Sequence, residues 1–290
     1  MPELPRDLPE QVDAALREDL GSGDVTAALV PAGQRVRGSV ITREDAILCG
    51  RPWADATFRR LDPHMQLDWR ARDGEPVSAQ QVLLEIAGSA RAVLSGERTA
   101  LNFLQLLSGT ATATHRFVQA VEGTGCIVLD TRKTVPGLRS AQKYAVRCGG
   151  AHNHRMGLYD RVLIKENHIA AAGSIEGAIR AARSHAPGLA VEVEVESLAE
   201  LERALTAAPD VVMLDDFTHA DMRSAVALNR ARGSPVKLEA SGSVSLETVR
   251  AIAASGVDYV SVGAITKHVR AVDLSLRLEF ASAPPQSARR

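Results

Sequence analysis

Cysteine is scarce in this chain, and the three present, Cys49, Cys126 and Cys148, form no Cys-x-x-Cys pair. An odd, scattered set argues against a disulfide framework and sets the expectation of a reducing, cytoplasmic setting. Aromatic residues are few, at 3%, whereas Ala is plentiful, which fits helix-rich packing. An excess of either charge is also missing: 34 Lys and Arg face 35 Asp and Glu, a net charge of -1. That balance gives no electrostatic ground for nucleic acid or an acidic membrane as partner. No apolar run approaches the ~20 residues of a membrane helix. The stretch "MPELPRDLPEQVDAALRED" is charged throughout and lacks the apolar core of a signal peptide.

What is present is 290 residues, 45% of them hydrophobic, enough for a small domain plus a barrel-sized one. Residues 5–20 read as an amphipathic helix ending at Gly21-Ser22-Gly23. Short β-prone runs follow, "RVRGSVITR", "AILCG", "MQLDWRAR" and "QVLLEIAG", with a helical "RPWADATFRRL" among them. They predict a small α+β domain. Residues 90–121 read as helical segments broken near Ser108-Gly109.

From Cys126 the rhythm changes to apolar strands, "CIVLD", "RVLIKE", "AVEVEVE", "VVMLDD", "VKLEAS" and "YVSVGA", alternating with helices near 138–148, 174–185, 197–207, 219–231 and 245–255. Such alternation implies βαβ units and a parallel sheet. The expected fold class is an incomplete TIM-like α/β barrel of about six to seven βα units after an N-terminal α+β sandwich, with a doubly wound sheet as the alternative. The expected boundaries are 1–110 and 111–269, with the tail 270–290 packing back on the first domain.

In such folds chemistry gathers at the C-terminal ends of the strands. Those ends read Asp130-Thr131-Arg132-Lys133, Lys165-Glu166-Asn167-His168, Glu194 with Glu196, Asp215-Asp216, Glu239-Ala240-Ser241-Gly242, and Gly263-Ala264. Charge is segregated as well. Asp130 to His168 holds eight Lys and Arg, whereas Ala190 to Asp216 holds eight acids and one Arg. One sector should favour a polyanion, the other a metal ion or hydroxyls. Adjacent Arg132 and Lys133 after a buried strand call for an anionic ligand, though a solvated loop pair would look alike. Arg139, Lys143 and Arg147 recur at helical spacing and read as a wet helix face. "HNHR" is a weak zinc pattern. In "VEVEVES", alternation places Glu192, Glu194 and Glu196 on one face; one near the mouth should bind something and deeper ones need partners. Ser-Gly in "EASGSV" and Gly in "VGA" precede helices, a setting that favours phosphate.

Taken together, "ALREDLGSGDVT", "GERTALNFLQLLSGTATAT", "DTRKTVPGLRSAQKYAVRCGGAHNHRMGLYD", "IKENHI", "EVEVES", "MLDDF", "EASGSV" and "VGAITK" resemble the quinolinate phosphoribosyltransferase family nearly end to end. The resemblance implies phosphoribosyl transfer from phosphoribosyl pyrophosphate (PRPP) to quinolinate with decarboxylation, within NAD biosynthesis. It further implies Mg2+ dependence, no organic cofactor, and a homodimer with shared sites. Arg132, His154, Arg155 and Lys165 match the positions that hold the two carboxylates, joined by Arg98 from the partner subunit. Lys133, Glu194 and Asp215 match those that handle PRPP and its metal, and with Lys165 they form the expected catalytic set. Ser241, Gly242, Gly263 and Ala264 match the 5′-phosphate end, and Ser243 is expected to join them there. Ser243 and Lys267 depart from the family pattern, where Gly or Asn and His are usual. Competing readings are a nicotinate-type transferase without decarboxylation, a Schiff-base aldolase using Lys165, a zinc hydrolase on His152, His154, His168 and His219, and a non-enzymatic anion binder.

Overall fold

The computed structural model describes residues 2–233 and 236–280; the 281–290 part of the expected tail lies outside the described residues. The chain divides into two compact units. One comprises the residues up to Thr112, Ser140–Gly149 and the stretch from Val269 onward; the other comprises Ala113–Arg139 and Gly150–His268.

In the first unit a four-stranded antiparallel sheet runs Leu274–Phe280, Arg35–Thr42, Val82–Ser89, Gln66–Trp69. Alternation along the strands turns Val36, Val40, Leu84 and Ile86 into one core with Phe58 and Leu104. The helix Leu8–Leu20 carries Leu8, Val12 and Leu16 on its buried stripe and stops at Gly21. Its Gln11 Oε1 accepts from Trp53 Nε1 at 2.8 Å, which docks it on the helix Arg51–Leu61.

Two expectations need correction here. The break near Ser108-Gly109 does not exist: Ala90–Val121 is one 32-residue helix. Ser108 bonds Cys49 through its side chain, accepting from the backbone N at 2.9 Å and donating to the O at 3.0 Å. A Cβ on Gly109 would lie 2.3 Å from the Arg270 carbonyl oxygen. Both are packing residues of a close crossing rather than helix breakers. The helix Arg139–Cys148 is the second. Its spacing looked like a strand-to-strand crossover, yet from Ser140 onward it belongs with the first unit. Tyr144 donates to Asp73 Oδ2 at 3.0 Å and its ring lies 5.3 Å from that of Trp53. Ser140 Oγ accepts from Gln11 Nε2 at 2.7 Å.

The second unit is a six-stranded, all-parallel sheet ordered Ile127–Leu129, Tyr259–Ser261, Lys237–Ser241, Val211–Asp215, Val191–Val195, Val162–Ile164. Val193, Val195, Val212, Leu214 and Val260 have no exposure at all, as strands covered on both faces require. Three crossover helices start where the sequence provides a hydroxyl cap: Ser174 accepts from Gly177 N, Ser197 from Glu200 N and Thr218 from Asp221 N. His152 forms an isolated parallel bridge with Leu129. Among the described residues no helix is long and apolar enough to cross a membrane.

Candidate active site

Pairing in the parallel sheet brings the chemically rich strand ends side by side. Ser261 pairs with Leu129, Ser241 with Asp215, and Glu194 with Met213 on the next strand. Asp130, fully buried, closes the first strand and organises the segment that follows the bridge. Its Oδ2 accepts from Asn153 Nδ2 at 2.7 Å and its Oδ1 from His154 N at 2.8 Å.

Arg132 and Arg155 form the cationic part. Arg132 Nε is buried without a hydrogen-bond partner. Burial, and then the positive charge of Arg132, holds the Arg155 guanidinium below its usual pKa. Two guanidiniums that repel each other, one with a spare buried donor, make a site that gains from an anion. His154 is committed elsewhere. Its Nδ1 accepts from Arg155 N at 2.7 Å, and its Nε2 lies 2.9 Å from Glu192 Oε2 and 3.6 Å from Glu239 Oε2.

Glu192 and Glu239 are both fully buried inside the sheet. Burial pushes the Glu239 carboxyl well above the usual carboxylate range, reinforced by the charge of Glu192; Ser261 donates to its Oε1. Burial also works against Glu192, but contact with His154 and the charges of His154 and Arg161 outweigh it and hold its pKa down. The strand-end reading of Glu239 is thereby corrected: it is an interior group. Glu196, expected on the same face as Glu192 and Glu194, lies past the strand and is exposed, its backbone N bonded to Glu200 Oε2 at 2.9 Å.

Glu194 sits one step nearer the open end than Glu192. It is 8% exposed and its Oε2 accepts from Lys165 Nζ. Lys165 is therefore ion-paired, which disfavours an imine-forming amine. His168 Nδ1 accepts from Lys165 N at 3.0 Å and caps the helix Glu166–Ala172. Asp215 is half-buried at the neighbouring strand end. The four histidines of the zinc reading do not converge. Among the described residues the groups with three close donors are His154–Glu192–Glu239 and Cys49–Asp73–Cys148.

At the other end of the row, Thr266 Oγ1 donates to the Lys133 carbonyl at 2.9 Å, and Lys133 N donates to Thr131 Oγ1 at 3.0 Å. A Cβ on Gly263 would meet Lys133 Cδ at 3.0 Å, so the Lys133 stem passes over Gly263 and Ala264 follows beside it. Gly242 has φ +136°, and a Cβ there would lie 2.3 Å from Asp216 Oδ1. Ser243 is exposed next to it. The expectation of a helix directly behind Ser241-Gly242 needs correction, because the next helix is only Val249–Ala253. The helix after Gly263 is the four-residue Ala264–Lys267. Neither turn leads directly into a long helix, so helix dipoles add little to this end.

Arg98 lies exposed on the part of the helix Ala90–Val121 that belongs to the first unit. Arg139, read from the sequence as part of a wet helix face, instead donates to Thr134 Oγ1, Met156 O and Arg132 O at 3.1, 3.2 and 3.4 Å. Lys143 on the same helix is 1% exposed. Helical spacing alone could not reveal either, because it reports which face a residue shares and not what covers that face.

Comparison with known proteins accords with this geometry. Residues 24–108 match the model of the quinolinate phosphoribosyl transferase N-terminal domain, and residues 110–277 that of the C-terminal domain. A nicotinate-nucleotide pyrophosphorylase [carboxylating] of Mycobacterium leprae is 45% identical over 276 residues, 93% of this chain and 96% of that protein. The solved nicotinate-nucleotide pyrophosphorylase of Francisella tularensis superposes with a TM-score of 0.91 at 46% identity, covering 96% of this chain and 98% of that one. Human nicotinic acid phosphoribosyltransferase, at 12% identity and a TM-score of 0.64 over 96% of this chain and 75% of that one, shares the fold alone. The chain belongs to the quinolinate phosphoribosyl transferase family.

Proposed function

We propose that this protein transfers the phosphoribosyl group of PRPP to quinolinate and decarboxylates the product, yielding nicotinate mononucleotide, pyrophosphate and CO2 for NAD biosynthesis. The observation that carries the reading is the pairing of Arg132, with its unpartnered buried Nε, and Arg155, whose charge is strained by burial and by Arg132. A planar pyridine dicarboxylate supplies the acceptors that this pair lacks. In this reading Arg132, Arg155 and Lys165 hold the two carboxylates, His154 sits behind them, and Arg98 reaches in from the second subunit of a homodimer. The six parallel strands, with the His152 bridge on the outermost one, support an incomplete barrel, and the antiparallel sheet with its helices supports a sandwich. A cytoplasmic setting is consistent with the three free cysteines.

The ring nitrogen of quinolinate attacks C1 of the ribose while the C1–oxygen bond to pyrophosphate breaks. Positive charge grows on the ribose, and the carboxylates of Glu194 and Asp215 oppose it electrostatically. Lys133, beside Gly263, suits the phosphorylated donor, and Ser241, Gly242, Ser243, Gly263 and Ala264 suit its 5′-phosphate. In the mononucleotide the C2–carboxylate bond then breaks, its electron pair stays on C2 as an ylide stabilised by the adjacent cationic nitrogen, and that pair takes up a proton. In this reading no organic cofactor is required, because the cationic ring nitrogen stabilises the pair left on C2.

The donor chemistry at Glu194 and Asp215 is hard oxygen, which fits Mg2+. One oxygen of Glu194 is already engaged by Lys165, and neither acid belongs to a group of three close donors. These two side chains would offer a carboxylate each to a metal held chiefly by substrate oxygens. When bound, Mg2+ would neutralise charge on the departing pyrophosphate.

The test is direct. Protein, Mg2+, PRPP and quinolinate should release CO2 and pyrophosphate in equal amounts, whereas nicotinate in place of quinolinate should release no CO2. If neither product forms with quinolinate, the reading is wrong; pyrophosphate without CO2 would favour the non-decarboxylating alternative.

A further inference from the structure

We propose that Arg139 is a positioning residue that sets the spacing of the two guanidiniums of the diacid site, an inference that rests on the function proposed above. Its planar fork is hydrogen-bonded to three neutral oxygens. Nε donates to Thr134 Oγ1 at 3.1 Å, Nη1 to the Met156 carbonyl at 3.2 Å and Nη2 to the Arg132 carbonyl at 3.4 Å. The Arg132 carbonyl belongs to the residue that carries one guanidinium of the site. The Met156 carbonyl lies one residue beyond Arg155, which carries the other. One side chain thus ties together the two main-chain segments from which the cations project.

Such a tie has a physical purpose. Arg132 and Arg155 repel each other, and burial adds to the cost of charge at Arg155. With no dianion bound, that repulsion favours moving the two segments apart. On the strand side they are already joined, because Asp130 accepts from Asn153 and His154. The turn after Arg155 is braced separately by Asp160, which accepts from Met156 N at 2.7 Å and Gly157 N at 3.0 Å. Arg139 supplies the cross-link on the far side of both cations, so each lies between two fixed points. The Thr134 backbone N adds a second hydrogen bond to the Arg132 carbonyl at 3.0 Å. A rigid five-donor fork suits three acceptors spread over two loops, whereas a lysine ammonium is a compact point charge. The guanidinium also adds positive charge without taking a carboxylate partner that would offset it.

A diacid bound by two groups is more sensitive to their separation than a monoacid bound by one. Misplacement of the order of 1 Å costs up to about 100-fold. Arg139→Lys in the full-length protein should therefore raise the quinolinate Kd and KM by about 10- to 100-fold, with kcat at saturation and the KM for Mg2+–PRPP changed by less than about 3-fold. Nicotinate binding should weaken far less than quinolinate binding. Thr134→Val, which removes only the Nε acceptor, should give a smaller shift in the same direction and serves if Arg139 variants fold poorly. An unchanged quinolinate Kd in both variants would overturn the proposal, as would equal losses for quinolinate, nicotinate and PRPP, which indicate a general structural role. If the wild-type protein itself binds no quinolinate by calorimetry, the functional reading fails first and this inference with it.

Discussion

Glu194 accepts a hydrogen bond from the ammonium of Lys165, whereas Glu192, two residues earlier on the same strand and the same face, faces His154 and Arg161. One alternating strand therefore feeds two environments, a half-open strand end and a sealed interior. The contrast suggests separate tests for chemistry and for stability.

At the strand end, Glu194→Gln should lower kcat by about 100-fold, the scale for losing one preorganised electrostatic group, while leaving quinolinate binding within a few fold. Chelation of Mg2+ should stop turnover yet spare binding of quinolinate alone. Steady-state kinetics paired with calorimetry separates the two effects, and wild-type kcat in the variant would remove Glu194 from the reaction.

Inside the sheet, the two buried acids should respond with opposite signs. Glu192→Gln strands His154 and Arg161 and should cost about 3–5 kcal/mol. Glu239 has a raised folded pKa, so its contribution is fully present below the ordinary carboxylate pKa and declines as pH rises toward the folded value. Gln mimics the protonated form. Glu239→Gln should therefore be close to neutral near pH 4 and become relatively more stable than wild type at pH 7–8. Thermal melts across that range check the sign; a Glu239→Gln penalty that grows with pH would show that Glu239 is ionised.

The exposed Arg98 of the first unit leads to a complementation test. Under the shared-site homodimer proposed above, the Arg98→Ala and Lys165→Ala proteins should each be inactive. Mixed dimers should recover about a quarter to a half of the wild-type rate, because random pairing leaves one intact shared site in each hybrid. No recovery on mixing, after confirmed subunit exchange, would place Arg98 outside the partner's site.

Gly242 permits a backbone prediction. Its φ of +136° is one that L side chains rarely adopt, and Asp216 Oδ1, 2.3 Å from where a Cβ would sit, would have to swing away. Gly242→Ala should destabilise by about 1–3 kcal/mol and raise the KM for PRPP more than that for quinolinate. A wild-type PRPP KM in a folded variant would exclude this turn from phosphate binding.

Much of the architecture was legible in the chain. Strands rich in Val, Ile and Leu punctuated by hydroxyl-capped helices give the parallel sheet, because burial on both faces favours apolar runs there. The placing of Arg132, Lys165, Glu194 and Asp215 at or just after strand ends was equally visible, since strand polarity is set by the order of the units, whereas Arg155 entered only through the family resemblance. Less legible were the elements decided by what they pack against. Ser108-Gly109 looked like a break until the Cys49 backbone and the Arg270 carbonyl took up its side of the helix. The helix Arg139–Cys148 had crossover spacing but found its partners in Asp73, Trp53 and Gln11.

By itself, then, the amino-acid order determined the succession of elements, the family, and which charges stand at strand ends, because these follow from local periodicity and motif. Tertiary structure alone decided that Glu239 is a sealed group whose pKa is pushed up, that both ring nitrogens of His154 are engaged, and that Arg139 spans two loops. Each of these depends on atoms distant in sequence meeting in a site with little water. There the cost of an unpaired charge or donor, rather than local propensity, selects the arrangement.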